Sequence, residues 1–204
     1  MNEHYYTEKP TSPIKEIHFE EEIRGVRLKF TSVSGVFAHG SKVDKASQLL
    51  IKTFRPAFDQ GSEKRNVLDM GCGYGPISLF LAALHPGLAV YGADINERGV
   101  AYARQNARVN NLYADFISSN LYSELSQRKY GDIVSNPPLA AGKALNERLI
   151  EEAREHLWEG GALWLVAFHN KGGETLKKMM ERVFGNVQDE EKKGGIRVYR
   201  SLKA

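Results

Sequence analysis

The sequence has a single cysteine, no long apolar run and almost no net charge, and each shortage removes a class of protein. Cys72 alone permits neither an intramolecular disulfide nor a cysteine-based metal cluster. A bilayer core requires ~20 consecutive apolar residues, and no stretch approaches that. Met1 to Pro13 is polar, without the apolar core of a secretory signal, so a cytoplasmic protein is expected. His4, His18, His39, His85, His156 and His169 are scattered without ligand spacing, and no metal site is expected. A net charge of +3 permits nucleic-acid binding without announcing it. There is no internal repeat, low-complexity tract or interdomain linker.

What is present is a globular composition, 42% hydrophobic and 26% charged over 204 residues. That length suffices for one well-cored domain and is short for two ordinary ones. The expectation is one domain over residues 1–204, with an arm, hairpin and helix over 1–55 and an α/β core over 56–204.

The organising stretch is Val67 to Ala82, VLDMGCGYGPISLFLA. An apolar run ends in an acid, turns through Gly71, Gly73 and Gly75, and resumes with helical spacing at Ile77, Leu79, Phe80 and Leu81, which predicts strand, tight loop and helix. Glycines suit a backbone that a ligand approaches closely. A dinucleotide loop reads GxGxxG, whereas Asp69 here precedes glycines spaced GxGxG. An acid in that position repels a pyrophosphate and suits an ammonium group, directly or through water. Asp94 ends the next apolar run, Val90 to Ile95, about 20 residues on, where a carboxylate can accept hydrogen bonds from both hydroxyls of a ribose. It can equally cap the helix that follows.

Around this motif the chain alternates strand and helix. Strands are expected over 66–69, 89–94, 114–119, 132–135 and 162–168, with helices over 76–85, 97–110 and 145–158. Such alternation predicts a parallel sheet with helices on both faces and a ligand site at the carboxyl ends of the strands. Before it, Ile17 and Phe19, then Val26, Leu28 and Phe30, alternate with polar residues around Arg24-Gly25, which predicts a hairpin. A helical stripe follows over 43–54, and 4–15 reads as a loosely held arm. Residues 186–191 and 196–202 read as a closing hairpin around Gly194-Gly195.

The motif LDMGCGYG, paired with Asn136-Pro137-Pro138-Leu139, resembles those of class I S-adenosylmethionine (SAM)-dependent methyltransferases. From about Phe30 onward the chain resembles the catalytic half of the RsmC-like ribosomal RNA guanine-N2 methyltransferases, and its single-domain bacterial members most of all. The resemblance implies a Rossmann-like, mostly parallel seven-stranded sheet with an antiparallel last strand, an N-terminal β-hairpin, SAM as cofactor, S-adenosylhomocysteine as product, and ribosomal RNA or the small subunit as partner. It implies a cofactor set of Asp69, Gly71, Cys72, Gly73, Tyr74, Gly75, Asp94, Ile95, Asn120, Leu121 and Asn136. It also implies that Gly35-Val36-Phe37 and Asp44 cover the cofactor and border the substrate cleft. Lys45-Ala46-Ser47 departs from the small pair usual after that Asp. Asn120 stands where the family has an Asp bonded to the cofactor adenine, and an amide oxygen can accept the same bond.

Methyl transfer from a sulfonium starts from an activated donor, so the protein must align a nitrogen lone pair with the methyl carbon and exclude water. An exocyclic amine is a poor nucleophile, and accepting hydrogen bonds from both its N–H groups favours attack. Asn136 offers a side-chain oxygen and Pro137 a carbonyl, held rigid by the fixed φ of Pro137 and Pro138. Leu139 would lie on the target base and leans towards guanine. Asn-Pro-Pro also occurs in glutamine and adenine amino-group methyltransferases, and a non-catalytic SAM- or RNA-binding domain is the third reading. Cys72 sits at the cofactor loop and not at the acceptor, which excludes a cysteine nucleophile. Phe37, Lys143 and His169 are candidate substrate contacts. Lys171, Lys177, Lys178, Arg182, Lys192, Lys193, Arg197 and Arg200 could hold phosphates if they share a face, but Glu174, Glu181, Glu190 and Glu191 are interspersed among them.

Overall fold

A computed structural model describes residues 8, 11, 13–125 and 128–204. The expected arm over 4–15 lies largely outside these residues. Within it, the Glu8 carbonyl accepts from Glu97 N, and the Pro13 carbonyl accepts from the Ser34 hydroxyl.

The chain begins with an antiparallel hairpin, β1 (Glu16–Ile23) and β2 (Val26–Val33). Its two-residue turn places Arg24 and Gly25 at φ 53° and 79°, the left-handed geometry that matches strand twist. A short helix, α1 (Lys45–Thr53), leads into alternating β3 (Asn66–Met70), α2 (Pro76–Leu84), β4 (Ala89–Asp94), α3 (Glu97–Val109), β5 (Asp115–Ser118) and β6 (Tyr130–Ser135). Then follow α4 (Lys143–His156), β7 (Leu157–Phe168), α5 (Gly173–Phe184) and the hairpin β8 (Gln188–Lys193) and β9 (Ile196–Leu202).

The main sheet has the order β5-β4-β3-β6-β7-β9-β8. Strands β5 to β7 pair in parallel, and β9 runs antiparallel to both neighbours. The expected seven-stranded sheet is therefore present, with β9 inserted between β7 and β8. Chain order reverses between β3 and β6, so the crevice at a topological switch point opens above those two strands.

Apolar residues on both faces explain why these strands read as unbroken runs. Val67, Val90, Val134, Trp164, Val166 and Val198 pack into one layer with α1, α2, α3 and the hairpin. Leu68, Ile133, Leu163, Leu165 and Tyr199 pack into the other with α4 and α5. The hairpin joins the first layer through Phe30, whose ring lies 5.7 Å from Phe80 and 6.1 Å from Tyr74. Its free edge is closed by two asparagines one turn apart, Asn106 in α3 and Asn110 capping the C-terminus of that helix. Asn106 bonds Thr31 N and O, and Asn110 bonds Lys29 N and O, all at 2.7–3.1 Å. Helix side chains thus do the work of a neighbouring strand. No helix among the described residues is long and apolar enough to cross a membrane.

Candidate active site

Four adjacent parallel strands end around one cavity of roughly 330 Å³. Its walls are Met70 and Gly71 at the end of β3, Asp94 and Ile95 at the end of β4, Ser119, Asn120 and Leu121 after β5, and Asn136, Pro138 and Ala141 after β6. Phe37 closes one side, and Leu145 and Leu149 of α4 another.

The floor is built by local hydrogen bonds. Gly71 N and Cys72 N both donate to the Ala93 carbonyl, which ties the glycine loop to the end of β4. Asp94 accepts from Gly73 N through Oδ2 and from Asn96 N through Oδ1, each at 2.8 Å, so one carboxylate holds both turns and still faces the cavity. Burial pushes its pKa up, opposed by the N–H groups of Asn96 and Gly73. The α3 cap is not Asp94 but Asn96, whose side chain accepts from Gly99 N and donates to the Gly35 carbonyl. With Arg98 bonding the Ser34 carbonyl, this fixes the Gly35-Val36-Phe37 segment over the site and leaves the Phe37 ring 41% exposed.

Asp69 has a different place from Asp94. It is fully buried, and its Oδ2 accepts from both Ser78 N and the Ser78 hydroxyl, pinning the first turn of α2 beneath the loop. Burial drives its pKa up to about 7, against the pull of the Ser78 bonds. Asp69 does not line the cavity wall, so the expected ammonium contact would have to run through water, with the buried Asp69 Oδ1 the carboxylate oxygen left without a partner among the described residues.

Other loop residues also turn away. The Tyr74 ring is buried against Phe19 and Phe30 of the hairpin. Gly75 sits at φ 89°, and an added Cβ would lie 3.1 Å from Ala103 Cβ, so this glycine serves the contact with α3. Cys72 is buried, and burial pushes its thiol well above the ordinary range, the opposite of an activated thiolate. Gly71 does line the cavity, and an added Cβ there would meet no protein atom within 4 Å.

The acceptor side depends on a distant helix. Asn136 Nδ2 lies 3.3 Å from Asp44 Oδ1 and 3.1 Å from the Ser47 hydroxyl. Asp44 also caps α1, accepting from Ala46 N and Ser47 N at 3.0 and 3.1 Å. A carboxylate only accepts, so the amide nitrogen of Asn136 must face Asp44 and its oxygen must face the other way. No described residue donates to that oxygen. Pro137 O already accepts from Leu139 N at 2.9 Å and keeps one lone pair. Leu139 itself leans towards Gly172, where an added Cβ would lie 3.2 Å from its Cδ1.

Lys143 and His169, both expected at the substrate, do not line the cavity. Lys143 opens α4 and sits 3.8 Å from Glu147, an exposed pair worth at most ~0.5 kcal/mol. His169 Nδ1 lies 2.8 Å from the Tyr199 hydroxyl. Conversely, Leu145, Leu149, Met70 and Ala141 line the cavity without having been singled out in the sequence. Leu145 and Leu149 are one turn apart, a spacing that looks the same for a core stripe and a cavity wall.

The methyltransferase small domain model matches residues 27–200. The chain is 35% identical to YbxB of Bacillus subtilis (strain 168), a protein of uncharacterized function, over the full length of both. It is 31% identical over 198 residues to ribosomal RNA small subunit methyltransferase C of Enterobacter sp. (strain 638), covering 95% of this chain and 54% of that enzyme. The 16S rRNA N2 methyltransferase RsmC of T. thermophilus, solved with AdoMet and guanosine, superimposes with a TM-score of 0.79 at 28% identity. That match covers 96% of this chain and 52% of RsmC, so the chain spans all of YbxB and about half of the RsmC enzymes.

Proposed function

From the premise that this chain belongs to the methyltransferase small domain family, we propose that it methylates the exocyclic N2 amine of guanine in small-subunit ribosomal RNA, with residues 1–204 acting as one unit in the cytoplasm. The cofactor is SAM, which supplies an activated methyl group and leaves as S-adenosylhomocysteine. The cavity fits it. Space beside the Gly71 backbone belongs to the cavity, Asp94 faces a position suited to ribose hydroxyls, and Asn120 offers an amide oxygen to an adenine amine.

The observation that carries the reading is the orientation of Asn136. Asn136 lines the cavity with its oxygen turned away from Asp44, and Pro137, the next residue, does not itself line the cavity but keeps one carbonyl lone pair as the second acceptor after β6. An amine donating to both is pulled towards tetrahedral geometry, and positive charge developing on its nitrogen is stabilised by both carbonyl dipoles. Because the dipoles are already aimed, no reorganisation is needed as charge develops. Apolar Phe37, Leu145 and Leu149 exclude water from the line of attack. That guanine is the base is supported by Leu139 after the paired prolines and by the RsmC enzymes the chain resembles.

The test is transfer of labelled methyl from SAM to a ribosome preparation lacking its own modifications, with Asn136→Ala beside wild type. Label in small-subunit RNA is expected, and the variant should lose about 10²- to 10³-fold in turnover, as when one aimed dipole is removed, with SAM affinity kept. Undiminished turnover would overturn the role of Asn136. Label in protein would move the acceptor to a side-chain amide such as glutamine.

A further inference from the structure

The left-handed backbone of Leu121 differs in kind from the other sharp turns of the chain. Four described residues besides glycines have positive φ: Arg24, Ala38, Asn111 and Leu121. Of these only Leu121, at φ 53°, is a large apolar residue, and only it lines the cavity. The conformation crowds its Cβ against the following carbonyl, a penalty that glycine escapes and asparagine often tolerates. Either of those would serve the turn, so what leucine adds is its side chain. Such strain persists at a site only where the surroundings over-determine it.

Two neighbours do so. Ser119, 3% exposed just after β5, donates its hydroxyl to the Leu121 carbonyl at 2.6 Å and accepts from Glu124 N at 3.1 Å. In an extended chain that carbonyl would lie roughly 6–7 Å farther along, so the hydroxyl reaches it only because the chain turns at once. On the other side Tyr122 is buried, its hydroxyl donates to the Leu149 carbonyl at 3.1 Å, and its ring stacks on His156 with centres 4.7 Å apart. Helix α4 thus holds the residue after Leu121, and Ser119 holds Leu121 itself.

The cavity wall shows the consequence. An extended strand turns alternate residues to one side, yet Ser119, Asn120 and Leu121 all line the same cavity. The turn at Leu121 brings a polar and an apolar side chain to one place. Strand β5 lies next to β4 and farther from β3, so Asn120 and Leu121 stand one strand beyond Asp94. A nucleoside with its ribose at Asp94 can put its base there, and a purine has an apolar face for leucine and a polar edge for an amide. We infer that Ser119 is a positioning residue for the adenine of SAM: its hydroxyl holds Leu121 in the left-handed conformation that sets the leucine against the base while Asn120 meets the amine. This rests on the reading that SAM lies in this cavity with its ribose at Asp94, and it does not depend on the methyl acceptor.

The experiment is a double-mutant cycle on the full chain, read by calorimetric titration with SAM. Ser119→Ala should weaken SAM binding about tenfold, and Leu121→Gly, which loses the apolar contact, about as much. Glycine takes positive φ without strain, so the double variant should bind within about twofold of Leu121→Gly alone. A hydroxyl that merely capped the turn at Glu124 would lose the same factor in both backgrounds, and additive losses overturn the proposal. Ser119→Thr keeps a hydroxyl and should stay within about threefold of wild type. A folded Ser119→Thr as weak as Ser119→Ala overturns the role of the hydroxyl. In turnover, Ser119→Ala should raise KM for SAM about tenfold with kcat nearly kept, because Asn136 is aimed by Asp44 and not by this turn. A fall in kcat with SAM affinity intact also overturns it. Asp94→Ala separates this failure from that of the cavity reading: if it weakens SAM binding while the cycle is additive, the cavity reading stands and the role of Ser119 falls, and if SAM binding ignores it, both fall.

Discussion

The two sides of the cavity are held by different means. On the glycine-loop side the cavity floor is held within one β–α–β unit, where Asp94 bonds Gly73 and Asn96, and Ala93 bonds Gly71 and Cys72; the Tyr74 ring and the covering Gly35-Val36-Phe37 segment tie it to the hairpin region. On the acceptor side Asn136 is fixed by Asp44 and Ser47, 92 and 89 residues earlier in the chain. A cofactor floor built from neighbours in sequence forms with its own βαβ unit. An acceptor amide aimed from a remote helix is correct only once the tertiary fold is complete. The comparison predicts that damage to the first side shows in SAM binding and damage to the second in turnover.

Asp94→Ala tests the first half most severely. It removes two backbone tethers and the acceptor proposed for the cofactor ribose, and charged hydrogen bonds are worth about 1.5–3 kcal/mol each. SAM affinity measured calorimetrically should fall about 100-fold. A loss confined to turnover, with affinity intact, would break the division between the two sides.

Asp44→Ser tests the second half. Serine caps a helix about as well as aspartate, so α1 and thermal stability should be nearly retained. Its hydroxyl, however, can donate as well as accept, and it no longer dictates which way the Asn136 amide faces. Turnover should fall about tenfold with SAM affinity unchanged. Asp44→Asn, which can cap and still present an oxygen to Asn136 Nδ2, should keep most of the activity. Equal loss in both variants would mean that charge, and not amide orientation, is what Asp44 supplies.

This division also decides what was legible in the sequence. Strand, loop and helix around Gly71 and the second acid at Asp94 could be read because the site there is made of residues close in sequence. Asp44 was visible as a helix start, but its hold on Asn136 depends on α1 lying beside the end of β6, which no local pattern encodes. Tyr74 sat in the loop motif and yet faces the hairpin, because Phe19 and Phe30 offered it an aromatic cluster. The edge pairing by Asn106 and Asn110 was hidden for the same reason: two asparagines at helical spacing look like any solvated face.

Asp69 and Asp94 read alike in sequence and differ in place, and Asp69→Asn sharpens that contrast. In the folded chain the Asp69 carboxyl keeps its proton up to about pH 7, whereas an unfolded one releases it near 4. Between those values the folded state binds more protons, so stability falls as pH rises through this window and levels off above it. The variant should show a shallower fall in melting temperature from pH 4 to 7. Asp132, also pushed to about 7 by burial, keeps the slope from vanishing. If Asp69 serves only to hold α2 beneath the loop, SAM affinity should stay within about threefold of wild type. A larger loss would return Asp69 to the cofactor.

The smallest effect belongs to Ser47→Ala, and it is small for a reason that bears on the acceptor side as a whole. Ser47 is 3% exposed, and its hydroxyl accepts from Asn136 Nδ2 at 3.1 Å, a distance shorter than that to Asp44. Distance alone would make it the stronger lock. Yet a hydroxyl can rotate to donate to an amide oxygen as readily as it accepts from an amide nitrogen, so it stabilises both orientations of Asn136 and selects neither. Selection requires a partner that cannot donate, and only Asp44 meets that condition. Turnover of Ser47→Ala should remain within about twofold of wild type, the loss of one neutral hydrogen bond that leaves Nδ2 still paired. A fall matching that of Asp44→Ser would show that the two contacts act as one network and that orientation is not set by the carboxylate alone.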